Sequence, residues 1–205
     1  MKINEIFRSI QGESTYQGLP CTFIRFTGCN LRCAWCDTAY AYEAGVNWTA
    51  HEVLLKVREL GCSLVEITGG EPLLQEEVHE LSAGLLEEGY QVLLETNGTR
   101  DIGEIDPRVV KIMDIKCPDS KMSEEMRWEN LTKLTARDEV KLVISTRRDY
   151  EWAKSVITQE GLNGNVVLMS PAFGRLSPQA LAGWLLNDEL DVRLQPQLHK
   201  YFSLP

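Results

Sequence analysis

The chain has no apolar run near the roughly 20 residues that a membrane span requires. It also lacks any Gly-, Pro- or Ser-rich tract, and 25% of its residues are charged, so fibrous and disordered classes are excluded. Basic residues are in deficit, 21 Lys and Arg against 30 Asp and Glu. The formal charge of −9 argues against a track for nucleic-acid phosphates. Met1-Lys2-Ile3-Asn4-Glu5 reaches an acid before an apolar export segment forms, so a cytoplasmic protein with no membrane partner is expected. What is present is material for a core: 205 residues, 43% of them hydrophobic, with no internal repeat. One domain over residues 1–205 is expected.

The six cysteines stand out. Cys21, Cys62 and Cys117 are scattered, while Cys29, Cys33 and Cys36 fall within eight positions. An even count suggests disulfides in small secreted chains that lack a core, which this chain is not. Crowded thiols in a cytosolic chain point instead to a metal or redox centre. A structural zinc site wants four ligands, and Cys21, Asp37 and His51 lack the usual spacing to complete one. A ferredoxin-type cluster would want a fourth cysteine too. A C-x3-C-x2-C run with nothing to complete it suggests a cluster with one iron left open for chemistry. A non-enzymatic iron–sulfur or zinc-binding protein is the alternative from another class.

Short apolar segments alternate with helical patterns. Strands are expected over residues 22–26, 64–68, 91–95, 109–115, 139–144, 166–169 and 192–194. Thr49-Ala50-His51-Glu52 is a capping box that opens a helix ending at Gly61, and helices are expected over residues 74–88, 124–134, 149–159 and 177–186. This alternation implies a parallel sheet covered by helices. The expected fold is α/β: an incomplete TIM-like barrel of about six parallel strands with helices outside, too short for the full eight. Ligands in such sheets gather where strands end. Gly69-Gly70-Glu71-Pro72, Glu95-Thr96-Asn97-Gly98-Thr99 and Asp114-Ile115-Lys116 each follow or end a strand. Each also has a plain structural reading, as a tight turn, an Asn-Gly turn and a surface ion pair.

The cysteine segment, with the aromatic Trp35 before its last thiol, resembles the radical S-adenosylmethionine superfamily, as does Gly69-Gly70-Glu71-Pro72. Ile6-Phe7-Arg8-Ser9-Ile10-Gln11-Gly12-Glu13, Arg25, Cys36-Asp37-Thr38 and Leu194-Gln195-Pro196-Gln197-Leu198-His199-Lys200 resemble the 7-carboxy-7-deazaguanine synthase family. That likeness covers essentially the whole chain. It implies a radical SAM core and a lyase that contracts 6-carboxy-5,6,7,8-tetrahydropterin to 7-carboxy-7-deazaguanine with loss of ammonia, toward queuosine and related 7-deazapurines. It implies one 4Fe–4S cluster on Cys29, Cys33 and Cys36, whose open iron chelates S-adenosylmethionine, and Mg²⁺ at Thr38. The implied S-adenosylmethionine contacts are Trp35, Cys36, Asp37, Gly70, Asp114, Ile115 and Lys116. The implied substrate contacts are Ile10, Gln11, Gly12, Arg25, Thr68 and Pro205, with Glu13 and His199 as further ones. For His199 a hydrogen-bonded structural histidine is an equal reading. A homodimer and a flavodoxin or ferredoxin as electron donor are also implied.

Two departures stand out. Ser14 lies where the family often has glycine, and Asp114-Ile115-Lys116 lies where many members have Ser-Pro-Lys. The Asp-x-Lys strand end also resembles glycyl-radical activating enzymes, which supply the enzymatic alternative.

Overall fold

The computed structural model describes residues 1–205, the Asn163 side chain excepted. Its strands are β1 Lys2–Ile10, β2 Pro20–Phe26, β3 Val46–Asn47, β4 Leu64–Gly69, β5 Gln91–Thr96, β6 Val110–Ile115, β7 Glu139–Ile144, β8 Val166–Pro171 and β9 Arg193–Leu194. Its helices are α1 Ala50–Leu60, α2 Glu77–Glu87, α3 Arg147–Gln159, α4 Pro178–Asn187 and α5 Leu198–Phe202. One open sheet runs β3-β1-β2-β4-β5-β6-β7-β8-β9. From β2 to β9 every neighbouring pair is parallel, while β1 runs antiparallel to β2 and β3. The expected partial barrel is found, and the sheet does not close on itself. Among the described residues no helix is long and apolar enough to cross a membrane.

Strand alternation decides what faces where. Val65 and Ile67, Val92 and Leu94, Met113 and Ile115, and Val140, Leu142 and Ile144 point to the outer face, against the helices. Val53 and Val57 of α1, with Val78, Leu81 and Leu85 of α2, cover one half. Tyr150, Ala153 and Ile157 of α3, with Leu181 and Leu185 of α4, cover the other. On the inner face a smaller apolar plug of Phe23, Leu64, Leu93, Val110 and Ile112 fills the end where the strands begin. Two residues further along the same faces stand Arg25, Glu66, Glu95 and Asp114. The barrel is dry at one end and charged at the other.

The capping box is realised: the Glu52 N–H donates to Thr49 Oγ1 at 3.2 Å, and Thr49 N–H donates to Glu52 Oε2 at 2.7 Å. Two expected helices differ. Residues 124–134 form no α-helix, only 3-10 turns at Ser123–Glu125 and Trp128–Lys133. The cause is Asn130, fully buried, whose amide donates to the Gly98 and Arg100 carbonyls and accepts from Ile102 N–H. Those tertiary bonds outweigh the local helical pattern. The expected helix over residues 74–88 begins only at Glu77, because Gln75 is extended. Its side chain accepts from the Lys2 N–H and donates to the Lys2 and Thr27 carbonyls. The same clamp holds β1, a strand the apolar pattern does not reveal because most of its residues are only half buried.

Lys111 and Asp138 form an ion pair at 3.1 Å with side chains 3% and 0% exposed. Asp138 also accepts from the Lys111 and Thr135 N–H groups and the Thr135 hydroxyl. Asp138→Ala strands a buried ammonium, and is expected to destabilise the fold by roughly 3–5 kcal/mol in denaturant unfolding.

Candidate active site

Where the parallel strands end, a cavity of about 660 Å³ opens. Every site candidate named from the sequence lines it: the cysteines with Trp35, Asp37 and Thr38; Gly70; Asp114, Ile115 and Lys116; Ile10, Gln11, Gly12 and Glu13; Arg25, Thr68, His199 and Pro205. The three remaining cysteines, Cys21, Cys62 and Cys117, are buried in the packing and unbridged.

The cysteine loop leaves β2 and is anchored by the buried Leu31. Gly70 lets it lie close: a Cβ there would sit 2.1 Å from the Gly28 carbonyl oxygen and 2.7 Å from the Cys29 Cβ. The glycine requirement at Gly70 therefore has a packing origin as well as any ligand it meets. Glu71 N–H donates to the same Gly28 carbonyl at 2.8 Å. The Glu71 carboxylate, fully buried, accepts from Asn97 N–H, Leu73 N–H and the Thr96 hydroxyl, at 2.6, 3.0 and 2.9 Å. Burial pushes its carboxyl up to about 7, against the pull of those donors. Asn97 in turn donates from Nδ2 to the Cys29 sulfur at 3.8 Å, and Leu31 N–H donates to it at 3.4 Å.

Among the described residues no three His, Cys, Asp or Glu side chains meet closely enough to hold a single ion. The three thiols instead border a shared space, each within electrostatic reach of the others. Three sulfur donors round a common space fit an iron–sulfur cluster rather than a lone zinc. Burial pushes the Cys29 and Cys33 thiols up, with Lys116 pulling the other way, so a bound metal must drive their deprotonation.

Beside the thiols, Lys116 donates to Asp114 Oδ2 at 2.7 Å, and Asp114 Oδ1 is buried without a hydrogen-bond partner among the described residues. An orphan carboxylate oxygen at a cavity wall fits a ligand with hydroxyl or ammonium donors, as S-adenosylmethionine has. Asp37 pairs with Lys200 at 2.7 Å and accepts from the Thr38 hydroxyl at 3.0 Å. Burial raises the Asp37 carboxyl, but Lys200 and Thr38 more than offset this and hold it low. Hydroxyl and carboxylate oxygens side by side are a donor set that suits magnesium.

Across the cavity, Arg25 donates from Nε to Glu5 at 2.7 Å and lies over the Phe7 and Tyr40 rings. Its two Nη groups have no partner among the described residues, leaving the fork free for an anion. Gln11 is less free than its sequence role suggests. Its Nε2 donates to buried Glu66 and its Oε1 accepts from Glu13 N–H at 2.9 Å, so one N–H and one lone pair remain. Burial, then the Glu95 and Glu13 charges, push the Glu66 carboxyl well up. The C-terminal segment closes this end. A Cβ on Gly12 would meet His199 Nδ1 at 2.3 Å, Leu198 N–H donates to the Gly12 carbonyl, and Gln197 donates to Glu13. Burial lowers the His199 imidazole, favouring its neutral form. The Pro205 carbonyl accepts from the Ser9 hydroxyl at 3.2 Å. Tyr201 stands edge-on to Phe173, while Phe202 is exposed, so the apolar tail is only partly covered.

Sequence reading missed Glu66 and Lys141 and gave Glu95 and Asn97 no role beyond a strand end with an Asn-Gly turn; all four line the cavity. The available signal was a charge inside an otherwise apolar strand: Glu66 in LVEITG, Glu95 in QVLLET and Lys141 in EVKLVI.

Comparison with known proteins bears on this geometry. The model of the Radical SAM superfamily matches residues 23–115. A curated 7-carboxy-7-deazaguanine synthase of Koribacter versatilis is 48% identical, across 100% of this chain and 98% of the relative. One from Chlorobaculum tepidum is 44% identical, across 100% and 95%. The crystal structure of QueE from Escherichia coli superposes with a TM-score of 0.79 at 24% identity, covering 96% of this chain and 93% of that one, which speaks for the fold.

Cys33→Ala is expected to lose its iron after anaerobic reconstitution, and Cys62→Ala to keep it, by colorimetric iron and sulfide analysis. Gly70→Ala is expected to displace the cysteine loop and lower iron content likewise.

Proposed function

Since the chain belongs to the 7-carboxy-7-deazaguanine synthase family of radical S-adenosylmethionine enzymes, we propose that it contracts 6-carboxy-5,6,7,8-tetrahydropterin to 7-carboxy-7-deazaguanine with release of ammonia. The observation that carries this reading is a single cavity holding three thiols at one side and, at the other, a guanidinium with free Nη groups beside buried carboxylates. When bound, the cluster on Cys29, Cys33 and Cys36 and the S-adenosylmethionine supply a 5′-deoxyadenosyl radical, chemistry that no side chain provides.

The chain's own residues bind, orient and exclude water. Arg25 offers a planar fork to the substrate carboxylate. Gln11, through its remaining N–H and lone pair, reads the pyrimidinone edge, and Glu13 accepts from its N–H groups. Ile10, Gly12, Thr68 and Pro205 border the ring, and neutral His199 adds a donor and an acceptor. Asp114 receives a donor at Oδ1, Lys116 pairs with the carboxylate of S-adenosylmethionine, and Trp35, Cys36, Asp37, Gly70 and Ile115 line the rest of that ligand. Thr38 provides one oxygen to Mg²⁺, with substrate and water completing the shell. The same proposal takes residues 1–205 as one domain, working as a cytoplasmic homodimer that receives electrons from a flavodoxin or ferredoxin. An activating enzyme must admit a protein chain, whereas here the C-terminal segment is seated across Gly12, which favours a small molecule.

The test is anaerobic reconstitution, dithionite reduction and assay with the carboxytetrahydropterin. Formation of the deazaguanine is expected. Cleavage of S-adenosylmethionine without that product would favour the activating enzyme, and an iron-loaded protein unable to cleave it would favour the non-enzymatic reading. Thr38→Ala is expected to weaken magnesium dependence of turnover by on the order of tenfold, with iron content unchanged.

A further inference from the structure

Lys141 is a buried ammonium that the reading above does not use. It sits on β7 opposite Asp114 of β6, and its side chain is 5% exposed. Its Nζ donates to Glu13 Oε2 at 2.9 Å and to Glu95, and stands 3.5 Å from Asp114 Oδ2. These carboxylates come from three separate places: the loop after β1, the end of β5 and the end of β6. Glu13 and Glu95 lie toward Gln11 and Thr68, since Gln11 accepts from Glu13 N–H and Thr68 donates to Glu95 at 3.0 Å. Asp114 lies toward the thiols, through Lys116.

We propose that Lys141 is a positioning residue: it fixes Glu13 and Glu95 on the substrate side in register with Asp114 on the cofactor side, so that the two ligands meet in one geometry. This rests on the cavity being a site for pterin and S-adenosylmethionine. Three carboxylates around one buried point repel each other, and burial penalises each; without a cation they take up protons or turn away. The remaining charges facing this point are Lys116 just after β6, Glu66 from β4 and Glu139 from β7 itself. Asp37 and His199 also act on this point, His199 from beside Gly12 and Glu13. Burial works to raise the Glu95 carboxyl, and Lys141 followed by Lys116 more than offsets this, holding it at about 2. Glu95 therefore stays ionised at every working pH while Lys141 is present, and becomes able to protonate when it is gone.

The experiment compares wild type, Lys141→Met and Lys141→Arg, each reconstituted with iron. Two quantities are read: the pH profile of kcat/KM for the carboxytetrahydropterin, and the number of 5′-deoxyadenosine molecules released per product. In Lys141→Met the acid limb is expected to move up by about 1 pH unit or more. Turnover is expected to fall by on the order of a hundredfold with cofactor cleavage uncoupled from product, as misplaced substrate implies. Lys141→Arg restores the acid limb and most of the coupling. A methionine variant with wild-type acid limb and coupling overturns the proposal, and so does an arginine variant as impaired as the methionine one in both. If Lys141→Met fails to hold iron, the charge-balanced Lys141→Met/Glu13→Gln chain is read for the same acid limb. Should wild type itself make no deazaguanine, the reaction assignment fails, and a carbon-13 carboxyl titration of Glu95 decides Lys141 separately: an unchanged Glu95 in Lys141→Met overturns the hold proposed here.

Discussion

Glu71, through its backbone and its carboxylate, fastens three loops at one point. Its own N–H holds the Gly28 carbonyl at the start of the cysteine loop, and its oxygens hold Asn97 N–H and the Thr96 hydroxyl at the end of β5. The third donor, Leu73 N–H, closes its own turn. Loops that follow β2, β4 and β5 are otherwise free to choose their own conformations. With Gly69 and Gly70 giving no side chain to intervene, the cysteine loop settles against this clasp, and the thiols face the strand ends. Remove the clasp and the cavity loses one wall at a time.

The second organising constraint is the two-residue period of the strands. One face of each strand supplies apolar side chains to the helices at every second position. The other face changes character along its length, from Leu64, Leu93 and Ile112 to Glu66, Glu95 and Asp114. The apolar plug keeps water from the start of the barrel, and the charges at the far end are compensated in place. Burial works to raise the Glu95 carboxyl but Lys141 holds it low, while burial and the neighbouring Glu95 and Glu13 charges push the Glu66 carboxyl up. Two carboxyl groups of the same type, a strand apart, are thus shifted in opposite directions by their surroundings.

Much of this was legible in the sequence for a stated reason. The parallel strands announce themselves because both sides of the sheet are buried, and the cysteine spacing because thiols so crowded have few other uses. The glycine loop, Arg25 and the Asp114-Ile115-Lys116 strand end were found by their place after strands and by family likeness. What stayed hidden depends on contacts distant in sequence. β1 is mostly half exposed and is held by Gln75, 73 residues beyond Lys2. The 124–134 segment has helical spacing, but the Asn130 amide is taken by the 98–102 loop. Lys141 gave one clue, a lone charge within an apolar strand, and its three partners lie between 27 and 128 residues away.

The open sheet has a consequence for solubility. Unclosed barrels expose two edges, and an exposed edge is a template on which another chain can add a strand. Here the outermost strands, β3 Val46–Asn47 and β9 Arg193–Leu194, are two residues long. β3 pairs with only Lys2 and Ile3 of the nine-residue β1, so an incoming strand would find the rest of β1 open along that side. The opening that leaves room for ligands is therefore bordered on one side by an edge several residues long, and what guards it against edge-to-edge pairing is the polar and charged side chains it carries, Asn4, Glu5, Arg8 and Ser9.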